Sequence, residues 1–119
     1  MPSVSTLTTA DTALLVQLSD SHLFAEADAS LLGMNTRDSL RAVIDLVLKQ
    51  QPNIDLMLAT GDLSQDGTQQ SYEAFRQLSA RIDAPARWIP GNHDEPQVMV
   101  TAAVKSTLLD PVVDIGNWR

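Results

Sequence analysis

Three short segments carry side chains that could grip hard cations: Asp20-Ser21-His22, Gly61-Asp62-Leu63-Ser64-Gln65-Asp66 and Gly91-Asn92-His93-Asp94. Each follows directly on an apolar run that reads as a β-strand. Carboxylate, imidazole and amide oxygen gathered at one sheet edge could hold two divalent ions side by side. Asp20 and His22 are separated by one residue. In an extended chain such positions point to the same side, so both can converge on one ion while Ser21 faces away. The bland alternative for this pair is a polar loop leaving a strand. Gly61 permits a tight backbone path close to a ligand, and Asp62 can bridge two ions through its two oxygens. Asp66 either accepts hydrogen bonds that orient the loop or a metal-binding histidine, or joins Thr68 in a helix-capping cluster.

In the third segment Asn92 offers a neutral amide oxygen to a cation. His93 can act on a phosphate as general acid or charge stabiliser. Asp94 reads as orienting His93 or its loop, and Glu95 as capping or beginning the next helix. The chain has two histidines, and both fall inside these segments, which makes the joint reading stronger than each separate one.

The elements that must position these side chains alternate strand and helix. Ala13 to Leu18 reads as a buried strand. A helix follows, capped by Asn35 or Thr36, with Leu40, Val43, Ile44, Val47 and Leu48 recurring at helical spacing and Pro52 closing it. Ile54 to Thr60 is the second strand, and the next helix carries Tyr72, Phe75, Leu78 and Ile82 on one stripe. Ala86 to Ile89 is a short third strand stopped by Pro90. A weaker helix runs from near Pro96 to about Ser106 with Val100, Ala103 and Val104 on its apolar face. Val112 to Ile115 reads as a fourth strand, before a turn at Gly116-Asn117. The pattern predicts an α/β fold with a mainly parallel sheet and crossover helices. Ligands in such sheets collect at the carboxyl ends of the strands, where all three polar segments sit.

Bulk properties narrow the function. A length of 119 residues suits one domain, and 44% hydrophobic with 19% charged residues suits a soluble globular chain. A net charge of -7 argues against a generic nucleic-acid polymer or membrane-surface partner. The lack of cysteine excludes disulfides and thiolate ligation. Residues 1–12 are rich in Ser and Thr and read as a flexible terminus without a targeting signal, so a cytoplasmic location is expected.

The combined spacing, Asp-x-His, then Gly-Asp, then Gly-Asn-His-Asp, resembles the calcineurin-like metallophosphoesterase superfamily from Leu14 to Asp94. The wording Gln17-Leu18-Ser19-Asp20-Ser21-His22-Leu23-Phe24, with Leu31-Leu32-Gly33-Met34-Asn35-Thr36 after it, is similar to bacterial 3′,5′-cyclic AMP phosphodiesterases of that superfamily. The resemblance implies a four-layer α-β-β-α sandwich and two bound metal ions (Fe, Mn, Zn or Mg). It also implies that Asp20 and His22 bind the first metal, Asp62 bridges both and Asn92 binds the second. His93 would assist departure of the leaving oxygen, Asn92 and His93 would meet the substrate, and Asp66 and Asp94 would support the loops. The implied reaction converts 3′,5′-cyclic AMP to 5′-AMP. No Arg stands beside Gln65-Asp66-Gly67-Thr68, which counts against a phosphoprotein substrate. The family completes its site with a downstream Gly-His-x-His absent from this sequence. Residues 13–119 are therefore expected to be the amino-terminal half of the domain, inactive alone and prone to self-association through an uncovered sheet flank. The competing expectations are another hydrolase of the superfamily, acting on a glycerophosphodiester, a nucleotide or a lipid-linked pyrophosphate, or a non-catalytic fragment.

Overall fold

Short, largely apolar runs build the parallel strands of the central sheet. A computed structural model describes residues 3–8, 13–50, 53–103 and 106–109. Strands β1 (Ser3–Thr8), β2 (Leu14–Ser19), β5 (Leu56–Thr60) and β6 (Ala86–Ile89) form one sheet in that spatial order. β2, β5 and β6 run parallel, while β1 pairs antiparallel to β2. A two-residue ribbon of β3 (Ser30–Leu31) and β4 (Met34–Asn35) stands in the loop after β2.

Helix α1 (Thr36–Gln50) crosses from β2 to β5, and α2 (Gln69–Ser79) crosses from β5 to β6. Asn35 Oδ1 accepts the Asp38 N–H at 2.9 Å, so Asn35 caps α1. Thr68 does the same for α2 through the Ser71 N–H. The two helices touch one another and so cover the same face of the sheet. Their apolar stripes, Leu40, Ile44 and Val47 on α1 and Tyr72 and Phe75 on α2, meet Val16, Leu18, Met57, Ala59 and Trp88 in one core. Phe75 and Trp88 meet edge to face at 5.6 Å between ring centres. The crossovers thus fix the three parallel strands with their carboxyl ends on one edge.

Several expectations need correcting. Residues 3–8 are a strand, not a flexible terminus: Val4, Thr6 and Thr8 are β-branched, and the hairpin register from Ser3↔Ser19 to Thr8↔Leu14 gives their backbone partners. β2 alternates, with Val16 and Leu18 buried and Gln17 exposed, because among the described residues helices cover one of its faces. Helix α3 (Pro96–Ala102) ends before Ser106, and a separate 3₁₀ turn spans Ser106–Leu109. On α3 the core face is Met99 and Ala102, followed by Ala103; Val100 is 64% exposed. The expected roles of Pro52, Val104, Val112 to Ile115 and Gly116-Asn117 lie outside the described residues.

Candidate metal centre

The polar segments leave the carboxyl ends of β2, β5 and β6 and remain laced together. Asp20 N–H donates to Gly61 O at 3.1 Å, His22 N–H to Asp62 O at 3.0 Å, and Leu23 N–H to Leu63 O at 3.0 Å. Parallel pairing therefore continues past the strands, and Leu23 and Ser64 still form a bridge. The backbone does not stay extended, however. Asp20, His22 and Asp62 have φ of 59°, 48° and 50°, left-handed conformations that L-residues enter at a cost. The i, i+2 convergence of Asp20 and His22 thus comes from two left-handed steps. Ser21 turns inward between them, and its hydroxyl donates to Leu63 O at 3.0 Å.

One ligand atom each from Asp20, His22 and Asp62 lies within 4.8 Å of the others. Bonds of about 2.0–2.2 Å to one ion would separate its ligands by at most about 4.4 Å, and His22 Nε2 lies 3.8 Å from Asp20 Oδ1. Two carboxylates and one imidazole, with no sulfur, form a donor set for Mn, Fe, Zn or Mg. The arrangement fits a metal ion. His22 keeps 16% of its side chain exposed and Asp20 50%, so both donors can be reached from solvent.

His93 reaches the same edge from β6. Its backbone N–H donates to Asp62 Oδ1 at 2.8 Å, and its ring stands edge-on to His22 with centres 5.7 Å apart. Asn92 is exposed on the same loop, one residue before. Gly91 packs its backbone onto Gly61 and Asp62: a Cβ there would lie 2.6 Å from Gly61 Cα and 2.7 Å from Asp62 Oδ1. Only glycine allows the β5 and β6 loops to come this close.

The two supporting carboxylates have separate tasks. Asp94 is buried and, among the described residues, is held by backbone amides and a phenol: Oδ2 accepts Leu63 N–H at 3.1 Å and Gly91 N–H at 2.8 Å. Its Oδ1 accepts Ser64 N–H at 2.9 Å and the Tyr72 hydroxyl at 3.0 Å. Asp66 accepts from Ala25 N–H at 2.9 Å and from both the N–H and hydroxyl of Thr68. Partial burial opposes its charge, but these bonds and one from Ser64 hold its carboxyl below the ordinary value. Asp66 ties the β2 loop to the α2 cap and leaves His22 to its neighbour: His22 Nδ1 meets Gln65 Oε1 at 2.9 Å. The sequence reading missed Gln65. Its one available signal is its position three residues after Asp62, on the loop that pairs with Leu23.

A cavity of about 490 Å³ lined by Met57, Arg76, Pro85, Arg87 and Trp88 opens at the amino-terminal ends of β5 and β6, away from these groups. The candidate metal ligands converge at the opposite edge.

Parallel strands that deliver carboxylates and imidazole to one edge define a metal-binding α/β protein. The chain belongs to the calcineurin-like phosphoesterase family, whose profile matches residues 13–116. It is 60% identical over 106 residues to a 3′,5′-cyclic adenosine monophosphate phosphodiesterase of Pseudomonas aeruginosa, covering 89% of this chain and 39% of that protein. It is 42% identical over 88 residues to the protein of the same name in Escherichia coli K12, covering 74% of this chain and 32% of the relative. A 3′,5′-cyclic-nucleotide phosphodiesterase of a Nostoc species is 40% identical over 80 residues, covering 67% and 30%. The chain thus spans about two-fifths or less of the length of these relatives.

Proposed function

We propose that this chain supplies the amino-terminal part of the catalytic domain of a cytoplasmic phosphodiesterase that converts 3′,5′-cyclic AMP to 5′-AMP. The observation that carries this reading is the cluster of Asp20, His22 and Asp62 at the strand ends, with His93 bonded to Asp62 beside it. The names of the related proteins supply the substrate class.

Asp20, His22, Asp62 and Asn92 would hold the metal pair. When bound, such ions neutralise phosphodiester oxygens and make water acidic enough to attack phosphorus near neutral pH. The chain's own contribution is placement. Asp62 fixes the His93 backbone through a 2.8 Å bond, which sets the imidazole over the edge where the phosphate would lie. As water adds to phosphorus and releases one proton to solvent, the bond to the ribose 3′ oxygen breaks, an imidazole N–H of His93 gives its proton to that oxygen, and the imidazole is reprotonated from solvent. By the family resemblance, the two-ion ligand set is completed by a Gly-His-x-His segment that these 119 residues do not contain. Residues 1–119 alone are expected to hydrolyse no appreciable cyclic AMP.

The test grafts this chain in place of the matching 106 residues of the Pseudomonas relative. The chimera should form 5′-AMP from 3′,5′-cyclic AMP, lose activity with chelator and regain it with Mn²⁺. His93→Ala in that chimera should keep its metal and lose about 10²–10⁴ in rate. A folded, metal-loaded chimera that cleaves bis(p-nitrophenyl) phosphate but leaves cyclic AMP intact would refute the substrate assignment.

A further inference from the structure

We infer that Gln65 is a positioning residue that selects the His22 nitrogen available to metal; this rests on the metal-centre reading above. The Gln65 side-chain oxygen can only accept a hydrogen bond, so at 2.9 Å from His22 Nδ1 it requires that nitrogen to carry the proton. Nε2 then keeps its lone pair, and it is Nε2 that faces Asp20, 3.8 Å from Oδ1. The backbone enforces the pairing. Gln65 N–H donates to Leu23 O at 2.8 Å, and Leu23 N–H donates to Leu63 O, so the residue following His22 is clamped on both sides by the Gln65 loop. A single loop therefore delivers Asp62 as a ligand and Gln65 as the group that turns His22 toward the same point.

The chemistry of this choice is specific. A neutral amide orients the imidazole without adding a third negative charge beside Asp20 and Asp62. A metal-bound histidine is ordinarily held through its other nitrogen by an acceptor, and loss of that acceptor costs about 10–100-fold in metal affinity. Gln65 is the acceptor here. Leu at this position would fill similar space and accept nothing, whereas Glu would preserve acceptance from Nδ1–H.

The experiment uses the 119-residue chain, with Gln65→Leu and Gln65→Glu as variants and retained helical circular dichroism as the folding control. Long-range ¹H–¹⁵N spectra of the metal-free protein should show His22 predominantly as the Nδ1–H tautomer in the parent and in Gln65→Glu. In Gln65→Leu that preference should be lost. Titration with Mn²⁺ should show binding weakened about 10–100-fold in Gln65→Leu and restored in Gln65→Glu. A parent chain that binds Mn²⁺ and a Gln65→Leu variant with unchanged affinity and tautomer would overturn the role of Gln65 alone. A parent with no Mn²⁺ affinity would overturn the metal-centre reading and the purpose assigned to Gln65 with it.

Discussion

Tyr72 and Asp94 are joined by a buried hydrogen bond of 3.0 Å from the phenol to Oδ1, and the same phenol accepts the Glu95 N–H at 2.8 Å. That pair connects α2 to the loop that carries Asn92 and His93. Asp94 then extends the connection to the Asp62 loop through the N–H groups of Leu63 and Ser64. One carboxylate therefore holds the two loops of the candidate site against each other through four neutral donors.

Replacing Asp94 by Asn puts an amide NH₂ where two of those donors point. At least one backbone N–H is left buried without an acceptor, and the remaining bonds lose their charge assistance. Asp94→Asn should lower stability by about 2–3 kcal/mol. Urea denaturation would read this as a lower midpoint with an unchanged slope. A midpoint equal to the parent's would show that the clasp contributes nothing to stability.

Tyr72 is the chain's single tyrosine, so its ionisation can be followed by ultraviolet absorbance without overlap from another phenol. Burial is the largest influence and raises its pKa well above the ordinary tyrosine value; the Asp94 carboxylate adds to the rise and the Glu95 N–H opposes it. The unfolded chain gives up the phenol proton near pH 10, while the folded chain retains it. The folded state consequently binds more protons above that pH, and its stability falls as pH rises, by about 1.4 kcal/mol per unit. Below about pH 10 this contribution is fully present. Phenolate absorbance should appear together with loss of the far-ultraviolet helix signal, and Tyr72→Phe should remove that part of the alkaline slope. Ionisation at an ordinary value in a still-folded chain would contradict the buried pairing.

Gly91 sets the distance between the β5 and β6 loops. The Cβ of an alanine would overlap the Asp62 backbone nitrogen as well as Gly61 Cα, and both belong to backbone that cannot swing aside. Gly91→Ala should cost about 1–3 kcal/mol, the usual range for overpacking. Separation of the loops should also break the bond from His93 N–H to Asp62 Oδ1. Faster amide exchange at His93, together with a lower melting temperature, would report both effects. Unchanged exchange would mean the loops accommodate the methyl group.

Much of this was legible because strands and candidate ligands lie in short contiguous stretches. The apolar runs ending at Ser19, Thr60 and Ile89 are each followed within two residues by a polar segment, so strand ends and candidate site residues could be read together. The stripes of α1 and α2 were equally plain, since Leu40, Ile44, Tyr72 and Phe75 recur at helical spacing. α3 was harder: Val98, Met99, Val100, Ala102 and Ala103 are apolar nearly all round, so periodicity could not choose between Met99 and Val100, and packing against α2 did. β1 was hidden by its serines and threonines, which carry strand preference without the hydrophobicity that flags a core strand. Left-handed backbone at Asp20, His22 and Asp62 and the Gln65–His22 bond go with contacts between segments some thirty to forty residues apart, which no local pattern encodes.

Asp20 and Asp62 crowd two carboxylates around one point on strained backbone, an arrangement that costs stability unless a cation is present. Mn²⁺ should therefore raise the melting temperature of this chain, with metal at about 100 times its Kd adding about 2.7 kcal/mol, and chelator should reverse the rise. Asp62→Asn keeps an acceptor for the His93 N–H and suits a left-handed residue, yet removes one negative charge from the cluster. The variant should melt at or above the metal-free parent and respond only weakly to Mn²⁺. Differential scanning calorimetry with and without metal separates the two effects. A variant that lost stability without metal, yet gained as much from Mn²⁺ as the parent, would place the ion elsewhere on the chain.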